Sequence, residues 1–289
     1  MHFQRTIMAL LLVALTAGLS VPAFAKDTIR IGWTAWSDAE FVTKLAARIL
    51  EDRMGYEVEL VQTDIAPQYQ GLATGSVDVM LMSWLPSTHG DYMENVGDKI
   101  VNLGILYTDA RLGWAVPTYI PESEVSSIAD LTKPGVADKL DDTITGIDPG
   151  AGLTRLSKQA VEDYALNDYT LQVSSGAGMT AALERAVRRD EWIVVTAWSP
   201  HWMFGRWDLR YLEDPKGTLG SFERVHALAR EGFYQDHVAA ASMLARMHLP
   251  LDVLQAAMYD AQETSYEEAV DKFMSDHSAR IDYWVNNTL

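Results

Sequence analysis

The chain has 289 residues, no cysteine and a formal charge of −17 at pH 7. The missing thiols exclude a disulfide scaffold and a thiolate metal centre. The negative field opposes nucleic acid and anionic lipid head groups and mildly favours cationic ligands. A hydrophobic fraction of 48% allows a substantial core, and the length suits one large domain or two lobes.

Residues 1–25 read as a cleaved signal peptide. "MHFQR" is a short basic start, "TIMALLLVALTAGLSV" is apolar, and Ala23, Phe24 and Ala25 form a small-x-small cleavage site, so Lys26 is expected to begin the mature chain. The apolar stretch is too short to span a bilayer comfortably, and no later stretch approaches a membrane span. No cysteine stands at the mature start to carry a lipid. The expected location is therefore the periplasm.

"DTIRIGW" (27–33) predicts a short buried strand. "SDAEFVTKLAARILEDRMG" predicts a helix: Ser37 and Glu40 have capping-box spacing, Phe41, Leu45 and Ile49 line one face, and Gly55 ends it. "YEVELVQTD" alternates as a half-exposed strand does. "APQYQGLATG" predicts a short helix and "VDVMLMSW" (77–84) a continuous apolar strand. The β-α-β-α-β order implies a parallel, helix-covered sheet.

The pattern then restarts. "RLGWAVPTYI" (111–120) predicts a strand, "IADLTK" a short helix, and "DTITGIDPGAGLTRLSKQAVEDYAL" a strand, a glycine-rich turn and a helix. "YTLQVSS" predicts a strand, "MTAALERAVRRD" a helix, "EWIVVTAW" (191–198) a second continuous apolar strand and "LRYL" (209–212) a short one. After "VHALAREGF" (225–233) the chain reads as helical to its end. We expect an α/β chain of two lobes. Residues 26–112 and 223–289 form the first, discontinuous lobe, and residues 113–222 form the second, inserted lobe. Chain crossings fall near 108–114 and 215–225.

Ligands of open parallel sheets bind beyond the carboxyl ends of the strands. Trp84 and Trp198 close the two apolar strands, and Trp36 follows the first strand. Three indoles therefore fall at ligand-binding ends of both lobes. Trp114 begins the second lobe and is a further candidate for the cleft. Trp33, Trp192, Trp202, Trp207 and Trp284 are assigned to packing. Converging indole faces suit a bulky, weakly hydrated cation, at up to about 2 kcal/mol per desolvated contact. In "GIDPGAGLTRL" (146–156) a glycine-rich turn runs straight into a helix, whose unpaired N–H groups offer an anion site. Gly150 and Gly152 would permit close backbone approach. A cation site beside an anion site describes a zwitterion. His89, five residues after Trp84, is either a donor to the same anion or a helix cap. Asp38 is either an acid favoured by the helix N-terminus or a ligand contact.

At "TAWSDAE", "LEDRMGYEVEL", "ATGSVDVMLMSWLPSTHGDY", "TGIDPGAGLTRL" and "VVTAWSPHWMFGRWDLRYLEDP" the sequence resembles the substrate-binding proteins of ABC importers for glycine betaine, choline and related quaternary ammonium compounds. The resemblance covers nearly all of the chain beyond the leader. It implies the two-lobed periplasmic binding protein fold, type II-like, with the ligand in the cleft between lobes. It matches Trp36, Trp84 and Trp198 to the walls of an aromatic cage, and the main-chain N–H groups of Gly152 and Leu153 to the carboxylate site. It matches His89 to a side chain that hydrogen-bonds the same carboxylate. Trp114 falls near a fourth wall of choline-binding members, and Asp38 falls where those members use an acid toward the choline hydroxyl. Such members also tend to carry Asn in the glycine-rich turn, which here reads "DPGAGL"; the departure favours a carboxylate-bearing ligand. The implied partners are a small zwitterion of the glycine betaine class and an ABC permease in the inner membrane.

No G-x-S-x-G elbow, H-E-x-x-H pair or Walker loop occurs, and the histidines lack ligand spacing. The expectation is a receptor with no catalytic residue, metal or cofactor. Choline, carnitine and dimethylsulfoniopropionate receptors, and a sensory ligand-presenting module, are the alternatives.

Overall fold

The computed structural model describes residues 28–288. The proposed leader lies outside the described residues. Among those described, no helix is long and apolar enough to cross a membrane.

The first lobe opens with β1 (Thr28–Trp33), α1 (Ser37–Met54), β2 (Glu57–Gln62), α2 (Ile65–Thr74) and β3 (Val79–Leu85). β1 pairs in parallel with both β2 and β3. α1 turns Phe41, Leu45 and Ile49 into the core, as their spacing requires. It stops at Gly55, which adopts φ +77° and returns its N–H to Glu51, while Tyr56 N–H reaches Leu50. This is a left-handed cap that a Cβ would strain. The expected capping box is not formed: Trp36 is the N-cap residue and Ser37 is the first helical residue. Buried Asp78 ties the first lobe's strands together. It accepts from Arg30 Nε at 2.9 Å and from Arg230 Nε at 2.6 Å.

After α3 (Gly90–Val96) comes β4 (Ile100–Pro117), which starts well before the strand expected at 111–120. Its first half, IVNLGILYT, is interrupted by Asn102 and Gly104 and carries no clean alternation to mark it as a strand. The second lobe contains β5 (Thr143–Thr145), β6 (Thr170–Gln172), β7 (Val194–Ser199) and β8 (Leu209–Tyr211), and β9 (Glu223–Arg230) returns to the first. The sheet order is β2-β1-β3-β9-β4-β7-β5-β6, with β8 on β4. β5 pairs in parallel with β6 and β7, whereas β9 is antiparallel to both β3 and β4. The sheet is thus mixed, where the repeated β-α order had implied a parallel one. Ala110 pairs with Glu223 on β9, and the next residue, Arg111, pairs with Ser199 on β7. One strand therefore passes from the first lobe's sheet into the second's.

A large apolar core fills the first lobe and reaches the cleft, while a second gathers around Trp114, Ile128, Leu131 and Val194. Beyond β9 the chain is helical: Val238–Arg246, Leu251–Glu263, Tyr266–Asp276 and Ser278–Asn286 pack on the first lobe, with Phe273 edge-on to Phe41.

Candidate functional site

β3 and β7 are continuous apolar strands because they lie inside their sheets, and each carries a tryptophan as its penultimate residue: Trp84 and Trp198. Trp36 stands at the N-cap of α1, just past β1. The strand order brings the three together. Trp84 lies opposite Val225 on β9, Tyr107 on β4 is that residue's other partner, and Leu112 further along β4 lies opposite Trp198.

Trp36, Trp84 and Trp198, all under a tenth exposed, line one small cavity between the lobes with Asp38, His89, Gly152 and Leu153. The space measures about 30 Å³, against the roughly 10–15 Å³ that one water needs. It suits a compact solute. Seven of the eight residues expected at the site therefore meet at one place.

Trp114 does not join them. Its side chain is fully buried in the second lobe's own core, and its indole N–H donates to Ser157 Oγ at 2.9 Å. It lies opposite Thr196 on β7. Two residues from Leu112, it is an interior residue of the strand, and Leu112 takes the place on the cavity.

The anion half of the site is the start of the helix Gly152–Asp163. Its first helical bond runs from Arg155 N–H to the Ala151 carbonyl. The N–H groups of Gly152 and Leu153 precede that bond and have no helical acceptor. Of the two glycines, only Gly152 needs to be one. A Cβ on it would stand 2.6 Å from both the Thr88 carbonyl oxygen and Thr88 Cγ2, across the cleft, whereas a Cβ on Gly150 would meet nothing.

His89 is buried, and its Nδ1 accepts the Trp84 N–H at 3.0 Å. Burial, helped by the Arg155 charge, lowers its pKa to about 3. The ring is neutral at pH 7; Nδ1 accepting the Trp84 N–H favours the tautomer with its proton on Nε2, while the Met82 carbonyl is a second backbone partner of the ring. An N–H donor is thereby offered without an added charge. Asp38 Oδ1 accepts from Trp198 Nε1 at 2.9 Å and Oδ2 from Tyr107 at 2.7 Å. Burial raises its pKa above the usual carboxylate range, and the two donors counteract part of the rise. Trp36 Nε1 donates to Asp148 Oδ2 at 2.8 Å. Glu223 Oε1 accepts the N–H groups of Ser87 and Thr88 at 3.0 and 2.9 Å, holding the loop that presents Thr88 and His89.

Sequence reasoning missed Thr88, Leu112, Ile147 and Ala151 as cavity residues, and Tyr107, Asp148 and Glu223 as supports. Asp148 and Ala151 lie within the glycine-rich turn already singled out, so that turn was a usable signal. Ile147 lies in the same turn, whereas Leu112 is apolar and carries no chemistry that would mark it.

A family model described as the substrate binding domain of ABC-type glycine betaine transport systems matches residues 27–276. The chain belongs to this family. The glycine betaine/carnitine transport binding protein GbuC of Listeria monocytogenes is 34% identical over 157 residues, which are 53% of this chain and 52% of that protein. The match thus spans about half the length of that relative. Lactococcal OpuAC, solved closed and complexed with glycine betaine, is 33% identical with a TM-score of 0.83, over 90% of this chain and all of that one. The glycine betaine/L-proline-binding protein ProX of Borrelia burgdorferi is 31% identical with a TM-score of 0.83, over 90% of this chain and 97% of that one. The family is thus one of substrate-binding transport proteins, with a two-lobed α/β fold.

Proposed function

We propose that this chain is the periplasmic receptor of an ABC importer and captures glycine betaine or a close onium zwitterion. The observation that carries the reading is the convergence of Trp36, Trp84 and Trp198 from three separate segments beside the free N–H groups of Gly152 and Leu153. A quaternary ammonium has no N–H to donate, so a carboxylate partner gains little directional bonding from it. Aromatic faces attract its spread charge instead. Three desolvated faces contribute on the order of 6 kcal/mol gross, a large share of the roughly 8 kcal/mol behind a micromolar Kd.

The ligand's carboxylate fits the other end of the cavity. The helix N-terminus supplies two main-chain donors and a favourable dipole. Neutral His89 supplies a third donor through Nε2. Because the tryptophans and the donors come from both lobes, ligand binds the closed form better than the open one and shifts the population by that difference. The closed form is what a permease in the inner membrane recognises. Residues 26–112 with 223–289, and residues 113–222, are the moving units. Residues 1–25 direct export and are then removed. No catalytic step is assigned to any residue.

Calorimetric titration with glycine betaine, proline betaine, dimethylsulfoniopropionate, carnitine and choline tests the reading. The carboxylate-bearing solutes are expected to bind more tightly than choline. Choline as the tightest ligand of the panel would overturn the carboxylate assignment, and no binding by any member would overturn the onium class.

A further inference from the structure

Two indole N–H groups cross the cleft in opposite directions. Trp36 belongs to the first lobe and donates to Asp148 of the second. Trp198 belongs to the second lobe and donates to Asp38 of the first. Both tryptophans are cavity walls, and in both the bond lies in the plane of the ring. A bond there fixes the rotation of the indole and so aims its face. Each wall is thus oriented by an acceptor that it meets only when the lobes are together.

The two aspartates differ in one respect. Asp38 itself lines the cavity and also accepts from Tyr107, a buried residue of β4, the strand that links the lobes. Asp148 is not among the residues that line the cavity, and the hydrogen bond to its carboxylate is that of Trp36. Its main chain does other work: the Asp148 carbonyl accepts from Ala151 N–H and from Thr154 Oγ1, which shape the turn without the carboxylate.

We propose that Asp148 is a positioning residue that makes the orientation of the Trp36 wall conditional on lobe closure. This rests on the onium-cage reading above. In the open form Trp36 has no cross-cleft acceptor and its ring is free to turn. On closure Asp148 locks it, and the wall becomes a good cation platform only then. The hydrogen bond is charge-assisted. Its loss acts on ligand release rather than on capture, because capture begins in the open form, where the bond does not exist.

The test is stopped-flow tryptophan fluorescence with glycine betaine, on the wild type and on Asp148→Ala, Asp148→Asn, Trp36→Phe and the double variant Asp148→Ala/Trp36→Phe. Asp148→Ala is expected to raise the dissociation rate about tenfold and to leave the association rate within about twofold. Asp148→Asn keeps an acceptor oxygen and should recover most of the loss, with no change in the turn's main-chain bonds. In the Trp36→Phe background, which lacks the N–H, Asp148→Ala should add nothing. An unchanged dissociation rate in Asp148→Ala, or an equal added loss in the Trp36→Phe background, overturns the proposal. Should the wild type bind none of the onium panel, the ligand reading fails instead, and the same four variants are compared by thermal unfolding. The free protein is open and lacks the Asp148–Trp36 bond, so Asp148→Ala should leave its Tm within about 1 °C of wild type; a larger fall that vanishes in the Trp36→Phe background would place the bond in the ligand-free form and overturn its dependence on closure.

Discussion

Gly152→Ala separates the stability of the second lobe from the stability of the closed form. Gly152 opens a helix with ordinary backbone angles, and alanine is the better helix former by up to about 1 kcal/mol. The helix itself should therefore tolerate or welcome the change. Across the cleft it meets a wall. The added Cβ would lie 2.6 Å from the Thr88 carbonyl oxygen and 2.6 Å from Thr88 Cγ2. The methyl can turn away, but the carbonyl is main chain. Its loop is anchored by two N–H bonds to buried Glu223, so it cannot retreat cheaply. Overpacking of this kind costs about 1–3 kcal/mol, which is borne by the closed state only. The dissociation constant for glycine betaine should rise by roughly 5- to 150-fold with Tm unchanged or slightly higher in the absence of ligand. Calorimetric titration and differential scanning calorimetry on the same samples read the two quantities. Adding Thr88→Ser, which removes the methyl and leaves the carbonyl, should recover part of the loss and not all of it. Affinity within twofold of wild type for Gly152→Ala would refute the claim that the lobes close to this distance.

Replacing Trp84 or Trp198 by Ala should each weaken glycine betaine binding at least tenfold by calorimetry, since each removes one desolvated face worth up to about 2 kcal/mol. Affinity should change little between low and high salt, because the contacts lie out of water; a steep dependence would indicate exposed charge pairing. Burial holds both His89 and His201 near a pKa of about 3, below the ordinary value of 6.5. Between those values the unfolded chain binds more protons than the folded one, so stability is full above pH 6.5 and falls as pH drops toward 3, by up to about 1.4 kcal/mol per unit for each ring. His201→Gln should flatten the plot of Tm against pH, and an unaltered slope would count against its buried neutral state. Asp78 behaves oppositely in cause: burial would raise its pKa, but Arg30 and Arg230 outweigh that and hold it below the usual range. Its stabilisation is present at neutral pH and lost as pH falls through the lowered value. Asp78→Asn should cost about 3 kcal/mol in urea unfolding at pH 7.

Much of the site was legible because its chemistry demands rare residues at particular places. An indole at the end of an apolar strand, repeated in both halves of the chain, is a strong signal in a sheet whose ligands bind at strand ends. Gly152 was legible as part of a turn entering a helix, although its reason for being glycine, the Thr88 carbonyl opposite, was not. Trp114 shows the limit. It sits inside its strand rather than at the strand's end, where the cage tryptophans fall, and Ser157 and the surrounding apolar side chains take it into the core. The β4 strand shows another limit: "IVNLGILYTDAR" carries no clean alternation, and only its pairing with β9 and then β7 makes it the bridge between sheets.

Taken alone, the order of residues determined the α/β repeats, the helix that Gly55 stops, the acidic exterior, and the placing of indoles and a free helix N-terminus at strand ends. Those follow from periodicity and backbone chemistry, which act over a few residues. Tertiary structure alone decided which indoles face one another, that Asp38 and Asp148 hold the walls from opposite lobes, and that His89 is neutral. Such properties depend on burial and on partners 112 or 160 positions away in the chain, distances over which local sequence carries no geometric information.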